Sequence, residues 1–550
     1  MSPAPKDDIP KVYSLRNGFA YTKNPYLPQV GKDGNLLLKD FHHIEQMTSF
    51  NRSTNVTERI VHSKGAGARI KFTLTESLAD ITMAKPYQKV GSTYDGHMRI
   101  STVAGERGSA DTVRDPRGFS FKFKTPYGVM DWVFNNTPIF FIRDGGTQFE
   151  SFIKTQKRYP FNNLNHMYDS SMYWDYLTLN PESIHQMTYM FGDRGIPKYP
   201  YLNTYSGHTF KFINEEGKVT YAQIHVLNED GTDNFIGEEL EKVGPDDNQA
   251  RLWDILEKEK KHPKWSCYIQ TMTPQQALEF RYNVNDLTKI WPHKEFPLRK
   301  FGEIVITEHV KDYFLEVEQI AFSPANTCMD GIEPSNDPVL VARLFSYGDA
   351  QRFRLNHNYE QLPVNRPINL RCPVTGRMAE GVDHEAINFT RDGPSCHYNN
   401  TNYNYTSSFD RTIKYKESAT SDKVSHEKYV GCPYRPATEE ELKTEPKEDP
   451  IVAKVDADLG FLYGISELDF EQPRALYEKV YDDAQKKRFI ENVVGHTSTI
   501  SYPHIKTRVS QYFGLLNKDL GEQIAKGLGI AWEPVDLQEY VQKIGQAEYH

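Results

Sequence analysis

Between residues 61 and 310 apolar side chains recur at every second position. Ile70, Phe72 and Leu74 alternate with Lys71 and Thr73, and Phe119, Phe121 and Phe123 alternate with Ser120, Lys122 and Lys124. A period of two puts all the apolar side chains on one side of an extended strand, so each run predicts a strand with one buried face. The runs at 210–213 and 219–224 flank Glu215-Glu216-Gly217, which reads as a hairpin turn. Segments 267–270 and 304–306 read as later strands, and helical insertions are expected near 150–190 and 246–261. Many strands with turn punctuation and few strand–helix–strand units predict an antiparallel barrel in an α+β chain.

The flanking segments lack this alternation. Residues 1–60 are polar, with scattered Pro, Gly and Asn, and read as an extended N-terminal arm with one short helix near 40–49. Residues 311–436 follow neither the strand nor the helix period and include the run 398–405, rich in Tyr and Asn. An irregular stretch of that length in a folded protein usually wraps another surface or carries function. Residues 437–550 read as a charged linker followed by about four helices over 467–535. Pro473 is placed in a first helical turn, and Ile505, Val509, Tyr512, Phe513 and Leu516 fall at helical spacing.

Composition excludes several classes. The 550 residues carry 74 acidic and 65 basic side chains, a net charge of −9, so nucleic acid is not an expected partner. No apolar run is long enough to cross a bilayer. The start lacks the apolar core of a signal peptide, and the end lacks the peroxisomal Ser-Lys-Leu address, which leads to an expectation of a cytoplasmic rather than peroxisomal protein. Cys267, Cys328, Cys372, Cys396 and Cys432 are odd in number and widely spaced, and imply neither a zinc site nor a disulfide framework. Gly65-Ala66-Gly67 lacks the third glycine of a dinucleotide fingerprint, and no phosphate-binding loop, zinc-protease motif or nucleophile elbow occurs.

One stretch carries unusual chemistry. In Arg343-Leu344-Phe345-Ser346-Tyr347-Gly348-Asp349, a helix sets Arg343 and Tyr347 one turn apart on one face. A guanidinium beside a phenol oxygen stabilises its anionic form, and such an oxygen suits ferric iron, including the iron of a haem.

Three further segments lie upstream: Glu58 to Gly67, Arg99 to Glu106 continuing to Arg114-Asp115-Pro116-Arg117-Gly118, and Asn135 to Asp144. With the tyrosine stretch, and with Pro181-Glu182-Ser183-Ile184-His185-Gln186, Trp291-Pro292-His293-Lys294 and Pro363-Val364-Asn365-Arg366-Pro367, the chain resembles the monofunctional haem catalases of the fungal cytosolic type from about 58 to 515. The resemblance implies an eight-stranded barrel with a wrapping segment and a C-terminal helical domain. It also implies a haem cofactor, b being the expected form, a homotetramer, and disproportionation of hydrogen peroxide through a ferryl intermediate. Position by position, it makes His62 and Asn135 the distal pair, Ser101 the partner of His62, and Tyr347 the axial ligand. Arg59, Arg99 and Arg354 would hold the propionates, Arg343, His208 and Asp337 form the chain behind the tyrosine, and Val61, Phe140 and Phe149 line the distal side. An NADPH site, as in some relatives, would use His185, Tyr189, Arg194, Asn203, Trp291 and His293.

Each residue taken singly has an ordinary alternative: a surface histidine, an ion-paired arginine, a core phenylalanine. The residue types nevertheless suit the chemistry. A neutral imidazole can take a proton from one peroxide oxygen and return it to the other, an amide can donate to the leaving oxygen without carrying charge, and arginines suit paired carboxylates. The chain departs from the family pattern at an extra residue between Phe50 and Glu58, another within 145–148, and one missing between Arg194 and Asn203. Gly348, Phe353, Ile100, Gly192 and Leu227 stand where proline, histidine, phenylalanine, serine and lysine are common. Gly348 is expected to loosen the helix after the tyrosine, and Gly192 and Leu227 weaken the NADPH expectation. Two rival readings remain at this point: a catalase-fold protein acting on fatty-acid hydroperoxides, and a degenerate haem or NADPH binder without activity.

Overall fold

The computed structural model describes residues 11–20, 32, 45, 48–50, 56–370, 379–382, 392–397, 449–458 and 464–546. The alternating stretches form one antiparallel sheet: β1 (Gly65–Leu74), β2 (Thr93–Thr102), β3 (Arg117–Thr125), β4 (Gly128–Asn135), β5 (Thr204–Tyr205), β6 (Phe210–Ile213), β7 (Val219–Asn228), β8 (Lys264–Met272), β9 (Arg299–His309) and β10 (Ile332–Pro334). The order β1-β2-β3-β4-β5-β7-β8-β9 returns to β1, which closes an eight-stranded barrel and leaves none of those strands as a free edge. The hairpin expected at 210–224 is β6–β7, and β10 adds to β6.

The apolar face of each strand fills the barrel. Trp132 is fully buried, edge-on to Phe72 at 5.7 Å and to Phe123 at 5.2 Å; such pairs contribute about 0.5–1.5 kcal/mol each beyond their buried area. Ile100 belongs to this interior. The expectation of one buried face fails for β3, whose polar residues are also covered: Ser120 is 8% exposed and Lys122 1%. Lys122 pairs across the register with Asp131 at 2.7 Å. The same carboxylate accepts from the Ser323 N–H (3.0 Å) and the Asn326 amide (2.8 Å), while the Asp131 carbonyl accepts from the Thr327 hydroxyl. The segment after β9 therefore lies over the outer wall, and a period-two pattern cannot show that a later stretch of chain covers the polar side.

The insertion after β4 forms α1 (Thr147–Gln156), α2 (Ser171–Leu179) and α3 (Ile184–Phe191). Two short helices, α4 (Asp247–Trp253) and α5 (Pro274–Glu279), precede α6 (Pro338–Leu355). Gly348 does not end α6, which continues to Leu355. Beyond α7 (Pro450–Asp458) come α8 (Leu468–Ala475), α9 (Asp483–Thr497), α10 (Pro503–Gly514), α11 (Lys518–Gly527) and a fifth helix past the expected region, α12 (Leu537–Gly545). Pro473 sits inside α8, not in its first turn. Phe141, Phe152, Tyr173 and Trp174 of the insertion share one core with Phe489, Val509 and Tyr512 of these helices.

Residues 58–550 make one compact unit and residues 1–57 another. Within the latter, Ser14 bridges Ala20 around a tight turn. Most of the helix expected near 40–49, the run 398–405 and nearly all of the 437–449 linker lie outside the described residues.

Candidate active site

One register row of the barrel wall brings together residues expected on the distal side. Gly65 faces Ser101, Ser101 faces Gly118, Gly118 faces Asn135, and Asn135 faces Tyr205. His62 lies over this row, just before β1. Its φ of +64° is a backbone state that costs a non-glycine residue on the order of 1–3 kcal/mol. The surroundings hold it there: the His62 N–H donates to the Val103 carbonyl (3.0 Å), and the Asp115 carboxylate accepts from the N–H groups of Val103 (2.6 Å) and Ala104 (2.8 Å). Ring Nδ1 is 3.1 Å from the Ser101 hydroxyl, which leaves Nε2 for the cavity that His62 lines. Burial, reinforced by Arg99, Arg343 and Arg59, pushes the His62 pKa down to about 3, so the ring is neutral. Gly118 makes room for it, since a Cβ there would meet Nδ1 at 2.5 Å.

The opposite side is built by α6. The Asp337 carboxylate caps its N-terminus, accepting from the N–H groups of Val339 (2.9 Å) and Leu340 (3.1 Å). The other carboxylate oxygen is 2.6 Å from His208 Nδ1. Arg343 Nη1 is 2.7 Å from His208 Nε2, and Nη2 donates to the Tyr347 hydroxyl oxygen at 2.9 Å and to the Val133 carbonyl at 3.0 Å. A guanidinium only donates, so Nε2 accepts and Nδ1–H donates to Asp337. Asp337, His208, Arg343 and Tyr347 thus form one directed chain ending on the phenol oxygen.

Between the two sides lies a cavity lined by Val61, His62, Asn135, Phe140 and Phe149 and by His208, Arg343 and Tyr347. Arg59, Arg99 and Arg354 form a buried cluster. Arg59 Nη2 donates to the carbonyls of Val317, Glu318 and Ile320, Arg354 to those of Glu318 and Ile320, and Arg99 to that of Ser63. The Glu318 carboxylate lies 3.5 Å from Arg59, 4.0 Å from Arg354 and 3.0 Å from Arg107. Burial pushes all three clustered guanidiniums down, and mutual repulsion adds to the shift for Arg59 and Arg354, the latter reaching about 10. Arg59 Nη1 and Arg99 Nε are buried without a hydrogen-bond partner among the described residues. Surplus buried cations with unused donors suit a ligand that brings its own carboxylates. Gly65 permits this cluster, as a Cβ there would lie 2.6 Å from Arg99 Cζ. Gly65, Gly118, Asp115 and Glu318 had no assigned role in the sequence reading; the first three lie inside the quoted motifs, which was the only available signal.

The residues named for NADPH are split. Tyr189, Arg194 and Asn203 line one crevice, where Arg194 donates to the Tyr189 hydroxyl at 2.9 Å. His185, Trp291 and His293 are not among its lining. His185 is buried with Nδ1 on the Thr288 carbonyl at 2.8 Å, Trp291 packs near Phe296, and His293 is exposed. Gly192 is filled by its neighbour, a Cβ there falling 2.2 Å from the Tyr481 hydroxyl.

Comparison with known proteins agrees with this architecture. A family model described as catalase matches residues 14–411, and one described as catalase-related immune-responsive matches 465–528. The chain is 56% identical to catalase T of Saccharomyces cerevisiae over 546 residues, 96% of each chain, and 40% identical to a peroxisomal catalase of Pichia angusta, covering 91% of each. Among solved structures, catalase A from Saccharomyces cerevisiae superposes with a TM-score of 0.77 at 36% identity, covering 94% of this chain and 99% of that one. Family model, relatives and fold coincide over nearly the whole length: the chain belongs to the catalase family.

Proposed function

We propose that this catalase converts two molecules of hydrogen peroxide into water and dioxygen at the cavity between His62 and Tyr347, with His62 and Asn135 as catalytic residues and Tyr347 as the residue that would hold the iron of haem b. The observation that carries the reading is the cavity's two-sided construction, with a neutral, oriented imidazole on one side and a charge-supported phenol oxygen on the other. The buried arginine surplus fits a porphyrin with two carboxylates, so Arg59, Arg99 and Arg354 would hold the propionates and Tyr347 the iron. Haem, when bound, supplies the two-electron redox chemistry.

The chain's own residues do the rest. His62 Nε2 takes the proton from one peroxide oxygen and returns it to the other, and its low pKa keeps that nitrogen available as a base. Ser101 fixes the ring orientation through Nδ1. The Asn135 amide donates a hydrogen bond to the departing oxygen. Arg343 holds its charge on the Tyr347 oxygen, itself oriented by His208 and Asp337. Val61, Phe140 and Phe149 make the approach apolar.

NADPH fits less well. The crevice supplies one phosphate-binding cation, Arg194, while Leu227 offers no second and His185 is committed to a carbonyl. A homotetramer is the expected assembly, and Phe345 and Phe353, 76% and 79% exposed on α6, suit burial against another copy. The greater identity to catalase T than to the peroxisomal relative supports a cytoplasmic location. Oxygen-electrode measurement on the purified haem-loaded protein tests the function: one dioxygen per two peroxides supports it, and turnover of organic hydroperoxides without hydrogen peroxide turnover refutes it.

A further inference from the structure

Two apolar walls of the cavity are tied together and then anchored from a distance. The Phe140 N–H donates to the Leu287 carbonyl at 3.0 Å, and both residues line the cavity. Three residues past Phe140, Arg143 donates to Asp286 (3.1 Å), to Asp469 (2.7 Å) and to the Gly464 carbonyl (2.6 Å). Two residues past Leu287, Lys289 reaches Asp469 at 2.7 Å and Asp286 at 3.3 Å. These four side chains are between 2% and 8% exposed, and none of them lines the cavity. Asp469 comes from α8, and from the same helix Gln472 accepts from the Ile290 N–H (2.9 Å) and donates to the Ile290 carbonyl (2.8 Å). On the third wall, Gln148, next to Phe149, is 3.3 Å from the buried Glu182 carboxylate.

Two buried cations thus share two buried carboxylates, one of which belongs to the C-terminal helices. Removing that one leaves Arg143 and Lys289 undercompensated, and both must shift toward other partners or water. Each carries a cavity wall with it. We infer that Asp469 is a positioning residue for the peroxide path: through Arg143 and Lys289 it holds the hydrogen-bonded Phe140 and Leu287 walls in place, so that the C-terminal helices determine the size of peroxide admitted. The inference rests on the reading of this cavity as the peroxide path, which the wild-type rate with hydrogen peroxide tests separately.

The test compares rates with cumene hydroperoxide and with hydrogen peroxide for haem-loaded wild type, Asp469→Asn, Gln472→Ala and Arg488→Gln. Arg488→Gln breaks a pair with Asp193 (2.6 Å) that involves neither cavity wall. In Asp469→Asn the ratio of bulky to small peroxide rate is expected to rise about tenfold, the scale on which one methylene of pocket space discriminates. Gln472→Ala, which uncovers no charge, is expected to move the ratio the same way by less, and Arg488→Gln to leave it unchanged. Should Asp469→Asn not fold, Gln472→Ala decides. An unchanged ratio in the α8 variants, or an equal rise in Arg488→Gln, assigns the cluster to stability alone and overturns the inference.

Discussion

His62 shows how a single side chain is made ready by its neighbours. Its positive φ is paid for by Asp115 and Val103, its ring is turned by Ser101, and its space exists because residue 118 lacks a side chain. Gly118→Ala is therefore expected to push the ring by a substantial fraction of an ångström and to lower turnover about 10²-fold, the loss associated with a 1 Å misplacement; retained oxygen evolution would show that the ring can move without cost. Because the His62 pKa is held at about 3, its titration does not limit the rate across roughly pH 5–9. A pH–rate profile should be flat there, and a sigmoid centred on the ordinary histidine value of 6.5 would count against this assignment. Motif order was enough to nominate His62, Asn135 and Tyr347 from the sequence. It gave no reason for Gly118 or Gly65, since each is required by a side chain from a different stretch of chain, His62 in one case and Arg99 in the other.

At the scale of elements, strand register does most of the assembly. Ser101, Gly118 and Asn135 come from three strands, yet successive pairing puts them side by side. Alternation revealed the strands and the hairpin, but not that β3 is buried on both faces. The cover comes from 317–327, an aperiodic segment whose carbonyls also hold Arg59 and Arg354. Lys122–Asp131 fastens this segment to the barrel. Asp131→Ala leaves Lys122 buried without its anion, a loss of about 3–5 kcal/mol. Lower thermal stability is expected together with faster haem transfer to an apo-globin acceptor, because the arginine cluster loosens with its segment. A variant equally stable and equally retentive would separate the pair from the site. Within α6, Gly348 had suggested a weakened end, but the helix runs through it, supported by the Asp337 cap and the Arg343 contacts.

For the whole molecule, burial of histidines sets an acid limit. The pKa values of His62 and His225 are pushed to about 3, and those of His166 and His185 to about 4, from 6.5, chiefly by desolvation. The unfolded chain binds protons in this window and the folded chain does not, so stability is intact above pH 6.5 and declines as pH falls toward 4. Buried Asp115, Asp131 and Glu182, pushed upward by desolvation, offset part of that decline nearer the carboxylate range. Melting temperature should be level above neutrality and fall between roughly pH 6.5 and 5; a rise on acidification would contradict the account. The barrel and the C-terminal helices were both legible in residue periodicity. Their shared core and the charged contacts at Asp469 were not, because those contacts join residues 180 and 326 positions apart. The most direct test of the central claim pairs two variants of the haem-loaded protein, His62→Ala and Tyr347→Phe, followed by oxygen evolution and visible spectra. His62→Ala is expected to retain haem and its iron spectrum but to lose at least about 10²-fold in turnover, while Tyr347→Phe is expected to lose the iron spectrum or the haem itself. Undiminished oxygen evolution in the first, or an unchanged iron spectrum in the second, would contradict it.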